Sequence, residues 1–313
     1  MSDTTTQKRL GSTDALMFLA IFFWGVNLTV IKIAVRHLSP HAFNSIRLAS
    51  AALFLFAFLA LKKESLRLPA RDWLKVVVLG ILGNFFYQTL FISGFNYTSA
   101  SNASLILATS PIFIALIGSM FRIERVTWVG WLGIGLSVVG LFLVITHQAG
   151  GLRLSGSGLK GDLMILAGNV FWALYTVFSK PLLDRMSPLK FSTLTLAAGS
   201  LVYLVYAFPV LARLDWATVP AGSWLALAGS GFFAIALGYV IWYTSIKVVG
   251  SARTAVYNNI TPVLAILFAS IFLGERIKAG QIVGAAVILA GVYLTRTGDR
   301  FFIKNKTVSH TPE

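Results

Sequence analysis

The chain has 313 residues, of which 57% are hydrophobic, 13% aromatic and only 12% charged. Because charged residues make up about a quarter of an ordinary globular sequence, this composition excludes a typical soluble enzyme, a disordered scaffold and a solenoid with a hydrated surface. The net charge of +15 comes from basic residues between the apolar runs and in the tail, without a continuous basic helix, so we expect no nucleic-acid partner.

Apolar runs of about twenty residues recur along the chain, which is the length that crosses about 30 Å of hydrocarbon as a helix. The sequence therefore predicts an all-α integral membrane protein of ten transmembrane helices. The first run is too long for a signal-peptide core and lacks a small-residue cleavage site, so we expect it to remain as a span. In chain order the predicted spans are 14–36, 42–61, 73–95, 99–121, 127–147, 162–183, 191–212, 223–245, 252–273 and 278–296.

The distribution of basic residues predicts the topology. An even number of spans puts both termini on one side of the membrane. With cytoplasmic termini, 18 Lys and Arg residues lie on the inner face and seven on the outer face, and Arg47 is left inside a span. This excess of positive charge on one face favours cytoplasmic termini.

The two halves of the chain resemble each other. Pairs at an offset of 148 residues include Asp14 and Asp162, Trp24 and Trp172, Lys32 and Lys180, and Pro40 and Pro188. Pairs at an offset of 151 include Pro111 and Pro262, Glu124 and Glu275, Gly133 and Gly284, and Gly140 and Gly291. Each half has five spans, an odd number, so the second half must be inverted in the membrane. Such inverted repeats are characteristic of secondary transporters, whose substrate site lies between the repeats near the midplane; a duplicated membrane anchor is the alternative.

The repeat also predicts the division of the chain. The predicted segments are an N-terminal cytoplasmic tail (1–13), a first five-helix repeat (14–147), a linker (148–161), a second five-helix repeat (162–296) and a C-terminal cytoplasmic tail (297–313).

Several of the duplicated residues form short motifs. They are Trp24-Gly25 with Lys32, Ile260-Thr261-Pro262, and Leu273-Gly274-Glu275-Arg276 followed by Gln281 and Gly284. In this order the motifs resemble the repeated EamA unit of the drug/metabolite transporter superfamily, and most of all its bacterial exporters of aromatic and other amino acids. The resemblance implies ten helices, cytoplasmic termini, the inner (plasma) membrane of a bacterium and alternating access. The first half departs from the pattern because Ile123, not glycine, precedes Glu124.

Few charged or reactive side chains lie inside the predicted spans, where ion coupling or catalysis would need them. All eleven acidic residues lie at span ends, in loops or in tails, whereas ion-coupled carriers usually place a carboxylate inside the membrane. Transport is therefore expected to be uncoupled, or coupled through hydroxyls, carbonyls or a histidine. The sequence has no cysteine, no metal-ligand spacing of histidines and no nucleophile motif, so we expect no metal, no cofactor and no catalytic residue. A membrane-embedded enzyme is the alternative of another class.

Aromatic and amide side chains away from the span ends are the candidates for a substrate site, and plain packing is the other interpretation. Arg47 either reaches the outer headgroups by snorkelling or binds a substrate carboxylate. The candidate substrate-binding residues are Trp24, Asn27, Arg47, Tyr87, Gln88, Phe91, Trp172, Tyr175, Tyr239, Tyr243, Tyr257 and Asn258.

Two pairs of equivalent residues are candidates for a hinge or gate. Pro111 and Pro262 each follow a hydroxyl residue and free a backbone carbonyl, so each helix is expected to kink, as a hinge or as a static bend. Lys32 and Lys180 lie near opposite faces, at a gate rim or as anchors.

The sequence thus predicts a transporter that exports small amphipathic metabolites, with amino acids first, and whose partners are its substrate and the lipid bilayer. No protein partner is evident. Export of drugs or other metabolites is the alternative within the same superfamily.

Overall fold

The computed structural model describes residues 11–35, 38–97, 103, 106–146, 156–261, 263–264, 267 and 278–308. Within these ranges the regular structure is helical, with no strand, which confirms the predicted class. Six of the helices described are long and apolar enough to cross a membrane, and shorter apolar helices cover Ser12–Asn27, Ser110–Met120 and Trp128–Val144. Many large apolar side chains on the outside of the bundle are exposed, as a lipid-facing surface requires.

The helices are numbered in chain order. They are α1 (Ser12–Ala34), α2 (Pro40–Leu61), α3 (Ala70–Phe95), α4 (Ser110–Met120), α5 (Trp128–Thr146), α6 (Gly156–Leu183), α7 (Pro188–Leu211), α8 (Ala221–Val249), α9 (Ser251–Ala255) and α10 (Ala279–Val308). A 3-10 turn, Trp216–Thr218, lies between α7 and α8, and α9 continues as a 3-10 segment, Val256–Ile260.

Two of these helices begin with the same local sequence. Proline is the first residue of α2 and of α7, where its missing N–H and fixed φ fit the helix start. The preceding serine caps each helix: Ser39 Oγ accepts the Ala42 N–H at 3.2 Å, and Ser187 Oγ accepts the Lys190 N–H at 3.0 Å. The equivalent Ser-Pro pairs therefore set equivalent helix starts.

Three predicted spans differ from the structure. The fourth, predicted over 99–121, is interrupted: of its first part the described residues 103, 106 and 107 are helical, residues 108–109 form a turn, and α4 begins at Ser110, because Pro111 cannot continue the hydrogen-bond ladder. The ninth, predicted over 252–273, is described only in its first part, where a single α-helical turn changes to the 3-10 segment. The tenth continues past 296 to Val308, within the segment predicted as a tail.

Both α3 and α8 contain a π-helical segment, Leu82–Phe86 in α3 and Ser230–Leu237 in α8. Such segments widen the helix by one residue per turn and often occur at functional sites. At the 151-residue offset, Leu82–Phe86 aligns with residues 233–237, which lie within the π-helical segment of α8. The first segment directly precedes Tyr87 and Gln88, and the second ends two residues before Tyr239.

Glycines allow α5 and α10 to pack closely. A Cβ on Gly133 would lie 2.8 Å from the Gly291 carbonyl oxygen, and a Cβ on Gly140 would lie 2.7 Å from that of Gly284. Small residues let helix backbones approach in this way in membranes. Other extensive neighbours are α2 with α7, α3 with α6 and α7, and α1 and α2 with α8.

Candidate functional site

A cavity of about 140 Å³ lies between helices of both halves. Cavities of roughly 150 Å³ accommodate a benzene-sized molecule. The cavity of this protein is lined by nine of the predicted substrate-binding residues: Trp24, Asn27, Arg47, Tyr87, Gln88, Phe91, Trp172, Tyr239 and Asn258. The structure therefore brings together residues that the sequence spreads over six predicted spans.

Arg47 is the only charged residue among those described as lining the cavity. It is 2% exposed, so its side chain does not reach the headgroups by snorkelling. Its Nη2 donates to Asn44 Oδ1 at 2.5 Å and to Gln88 Oε1 at 3.1 Å, and its Nη1 lies 3.4 Å from Ser230 Oγ. These partners are all neutral.

The positive charge of Arg47 is uncompensated within the described part of the chain. Arg47 takes part in none of the ion pairs found there, and its Nε has no hydrogen-bond partner. A buried charge is costly unless it is paired or stabilised by hydrogen bonds. A cavity beside an unpaired guanidinium can therefore bind an anionic group, and a carboxylate fits its fork of donors.

Aromatic rings form the walls of the cavity. The Trp172 ring centroid lies 5.0 Å from that of Tyr87 and 5.7 Å from those of Tyr239 and Trp242. Trp24 contacts Trp242 from the other half at 5.2 Å, and its Nε1 donates to the Ala234 carbonyl at 2.7 Å. That carbonyl lies in the π-helical segment of α8, so the segment orients Trp24.

Gln88 joins Arg47 to the second half. Its Oε1 accepts from Arg47 and its Nε2 donates to Tyr239 Oη at 3.1 Å. Ser230 Oγ donates to Asn27 Oδ1 in a very short hydrogen bond. Asn27, Gln88, Arg47 and Tyr239 thus form a polar wall in which each amide is fixed by a named partner.

Three predicted substrate-binding residues do not line this cavity. Tyr175 is fully buried, and its hydroxyl pairs with Thr195 Oγ1 at 2.7 Å. Tyr243 is also fully buried, with its ring 4.7 Å from that of Phe191. Tyr257 donates its hydroxyl to Asp14. In these three cases the structure places the ring in packing or in another polar cluster.

The structure describes the side chains of two of the four hinge and gate candidates, Pro111 and Lys180. Pro111 lies at the start of α4, and the Leu107 carbonyl that it frees accepts Ser110 Oγ at 2.6 Å. Lys180 Nζ donates to the Lys247 carbonyl at 2.9 Å and lies 3.7 Å from Asp184. Pro262 and the Lys32 side chain lie outside the described residues.

Other residues that line the cavity are not among the predicted substrate-binding residues. They are Leu107, Ala108, Ser110, Asn169, Ile235 and Thr261. The signal for Asn169 was available, because it precedes Trp172 by three residues and so shares its face of α6.

Polar contacts link the two halves at the span ends predicted to be cytoplasmic. The Glu124 carboxylate accepts the backbone N–H of Ser251 at 2.6 Å and that of Ala252 at 3.2 Å. Ser187 Oγ donates to Glu64 at 2.7 Å, and Arg185 lies 3.4 Å from Asp72. The Glu124 carboxylate therefore caps the start of α9 and holds the loop between α4 and α5 against it.

A model of a known protein family matches the chain twice, over residues 11–146 and 159–297, and its description is EamA-like transporter family. The chain belongs to this family. The EamA family consists of transporters rather than enzymes, so the cavity is part of a multi-pass membrane protein that acts on small-molecule substrates.

Alignments with several relatives cover most of this EamA protein and most of each relative. It is 33% identical over 280 residues to "Uncharacterized transporter YyaM" of Bacillus subtilis, covering 88% of this chain and 90% of that one. It is 29% identical to an "Uncharacterized transporter" of Archaeoglobus fulgidus, covering 89% and 96%. A crystal structure superimposes with a TM-score of 0.77 at 20% identity, covering 93% of this chain and 98% of the other. At that identity the superposition shows the fold alone.

Proposed function

We propose that this protein exports amino acids, and related small amphipathic carboxylates, across the bacterial inner membrane. The observation that carries the proposal is the buried guanidinium of Arg47, which has no acidic partner in the described structure and lines a cavity with aromatic walls. The substrate carboxylate binds Arg47, and the apolar side chain packs against the rings of Trp172 and Tyr87, which contact each other in the cavity wall.

We also propose that transport occurs by alternating access between two inverted five-helix halves, with both termini in the cytoplasm. Helix contacts support this arrangement, because α1 with α8 is the repeat equivalent of α6 with α3, and α2 with α8 that of α7 with α3. The equivalent π-helical segments of α3 and α8 support it as well. The cytoplasmic contacts of Glu124 and Glu64 would then have to break and re-form in each cycle.

Efflux from liposomes tests the function. Vesicles with purified protein are preloaded with each of a panel of labelled amino acids. We expect efflux to exceed that from protein-free vesicles and to slow greatly when Trp172→Ala and Tyr87→Ala are combined, because the stacking surface is lost. Equal efflux with and without protein across the panel would contradict the proposal.

Arg47→Gln tests the carboxylate site. A hydrogen bond to a charged group contributes about 1.5–3 kcal/mol, so we expect kcat/KM to fall roughly tenfold to a hundredfold. Arg213→Gln removes the same charge from an exposed position between α7 and α8 and is the matched control, with unchanged efflux expected. Equal effects of the two substitutions would show that Arg47 acts only through overall charge.

Export of drugs is the second candidate, and the aromatic walls favour it. The uncompensated charge of Arg47 disfavours hydrophobic cations, which would be repelled in the cavity. Competition separates the candidates: a hydrophobic cation that blocks amino-acid efflux at low concentration would favour drug export, whereas competition by carboxylates alone would favour the first proposal.

A further inference from the structure

Asn169 lines the cavity on α6 and is fully buried. Its Nδ2 donates to the Ile106 carbonyl at 2.9 Å and to Thr109 Oγ1 at 3.1 Å. A backbone carbonyl can only accept, so the side-chain nitrogen must be the atom that faces Ile106. The orientation of the amide is therefore fixed, and its oxygen points away from that carbonyl.

The carbonyl oxygen of Asn169 has no hydrogen-bond partner among the described residues. A buried acceptor without a donor costs free energy, and in a cavity it is satisfied by water or by a ligand. Two other buried asparagines, Asn84 and Asn259, also leave Oδ1 unpaired, but neither of them lines the cavity. Of the three, Asn169 is the one that lines the cavity.

Neither Asn169, which offers an acceptor, nor Arg47, which offers donors, has the same residue at the equivalent position of the other half. At the offset of 148 residues, Arg47 corresponds to Thr195 and Asn169 corresponds to Ile21. The tryptophans Trp24 and Trp172, in contrast, are equivalent in the two halves. The two tryptophans are symmetric, whereas Arg47 gives the cavity a positive group from the first half and Asn169 brings an unpaired acceptor from the second.

We propose that Asn169 Oδ1 accepts a hydrogen bond from the ammonium group of the amino-acid substrate, an inference that rests on the proposed function. An amide oxygen binds an ammonium without adding a negative charge, so Arg47 remains free to bind the carboxylate. Trp172, one turn along α6, presents a ring to the same cation. Asn169 is therefore a specificity-determining residue that distinguishes an amino acid from the carboxylic acid that lacks its amino group.

The test compares phenylalanine with 3-phenylpropionate, which has the same ring and carboxylate but no ammonium. If another amino acid is transported faster, it and its deaminated acid replace them. Wild type is expected to transport the amino acid with the higher kcat/KM. In Asn169→Leu, which keeps the side-chain shape, we expect kcat/KM for the amino acid to fall about tenfold or more and that for the deaminated acid to change less than twofold.

Two variants control for folding. Asn84→Leu removes a buried amide outside the cavity, so it is expected to change both substrates by the same factor. Asn169→Asp retains an acceptor oxygen, so the preference for the amino acid should persist or increase even if total flux falls.

Each outcome has a distinct meaning. Equal loss of both substrates in Asn169→Leu, loss of the preference in Asn169→Asp, or wild-type preference for the deaminated acid would overturn the role of Asn169 while leaving amino-acid transport intact. No transport of any amino acid by wild type would instead refute the proposed function, and the inference with it.

Discussion

Glycines make room for the large rings around the cavity. A Cβ on Gly83 would overlap the ring of Tyr175, and a Cβ on Gly238 would lie 2.7 Å from Trp24 Nε1. Both glycines belong to or adjoin the π-helical segments, so the widened turns and the missing side chains act together. The rings can therefore lie against helix backbone instead of against other side chains.

Gly83→Ala should lower stability for this reason. Overpacking of a filled interior typically costs about 1–3 kcal/mol, because rings or backbone must move. Gly135→Ala on α5 is the matched control, since nothing lies within 4 Å of the added Cβ. Thermal unfolding in detergent should show a lower midpoint for Gly83→Ala and an unchanged or slightly higher one for Gly135→Ala; equal midpoints would contradict the steric account.

At the scale of elements, the loop between α4 and α5 caps α9. Gly250, which precedes α9, has φ +94°, a conformation that favours glycine, and a Cβ there would lie 3.0 Å from the Glu124 carboxylate. The turn exposes the first N–H groups of α9, and the carboxylate accepts two of them. A negative charge also interacts favourably with the helix N-terminus.

Glu124→Gln should loosen α9. The variant loses the charge and one of the two acceptor oxygens, so opening of this end of α9 should become easier by about 1 kcal/mol. Hydrogen exchange of the Ser251 and Ala252 amides measures this, with about fivefold faster exchange expected. Asp215→Asn, which removes the carboxylate capping the exposed turn Trp216–Thr218, is the control and should leave those two amides unchanged.

At the scale of the whole molecule, the proposed inversion makes equivalent loops face opposite sides of the membrane. The loop between α2 and α3 (62–69) corresponds to the loop between α7 and α8 (212–220) in the repeat. Ser65 and Ala217 are exposed in these two loops. Since the chain has no cysteine, single cysteines can report the side of each loop without background.

The topology predicts opposite labelling of two variants. A membrane-impermeant maleimide should label Ala217→Cys in intact spheroplasts and Ser65→Cys only after permeabilisation, because the basic loop is cytoplasmic. The cysteine-free parent provides the background. Labelling of both positions from the same side would contradict the inverted repeat.

None of the described residues that line the cavity carries a carboxylate, and this affects whether a proton gradient can drive transport. We expect an imposed pH gradient to cause no net accumulation of amino acid in the vesicles. None of the described residues that line the cavity is an acid that could bind a proton in one conformation and release it in the other. Uphill accumulation driven by the gradient would contradict this. His41, which bonds to the Tyr203 hydroxyl at 2.9 Å, would then be the first residue to substitute.

Much of the cavity could be predicted from spacing along the helices. Trp24 and Asn27 share a face of α1 as the three-residue spacing requires, and both line the cavity. Tyr243 follows Tyr239 by four residues on the same face of α8, yet only Tyr239 reaches the cavity. Spacing predicts a shared face, but it does not predict depth along the bundle, and the cavity occupies one depth only.

The sequence by itself determined that this protein is a helical membrane transporter of the EamA family, because hydropathy and the repeated motifs are local properties of the chain. Only the tertiary structure decided which polar groups share the cavity. Arg47 and Asn169 are far apart in sequence, and their unpaired donor and acceptor become visible only when every neighbouring hydrogen bond is known. Packing and π-helical turns set the rotation of each helix, and no local pattern encodes that rotation.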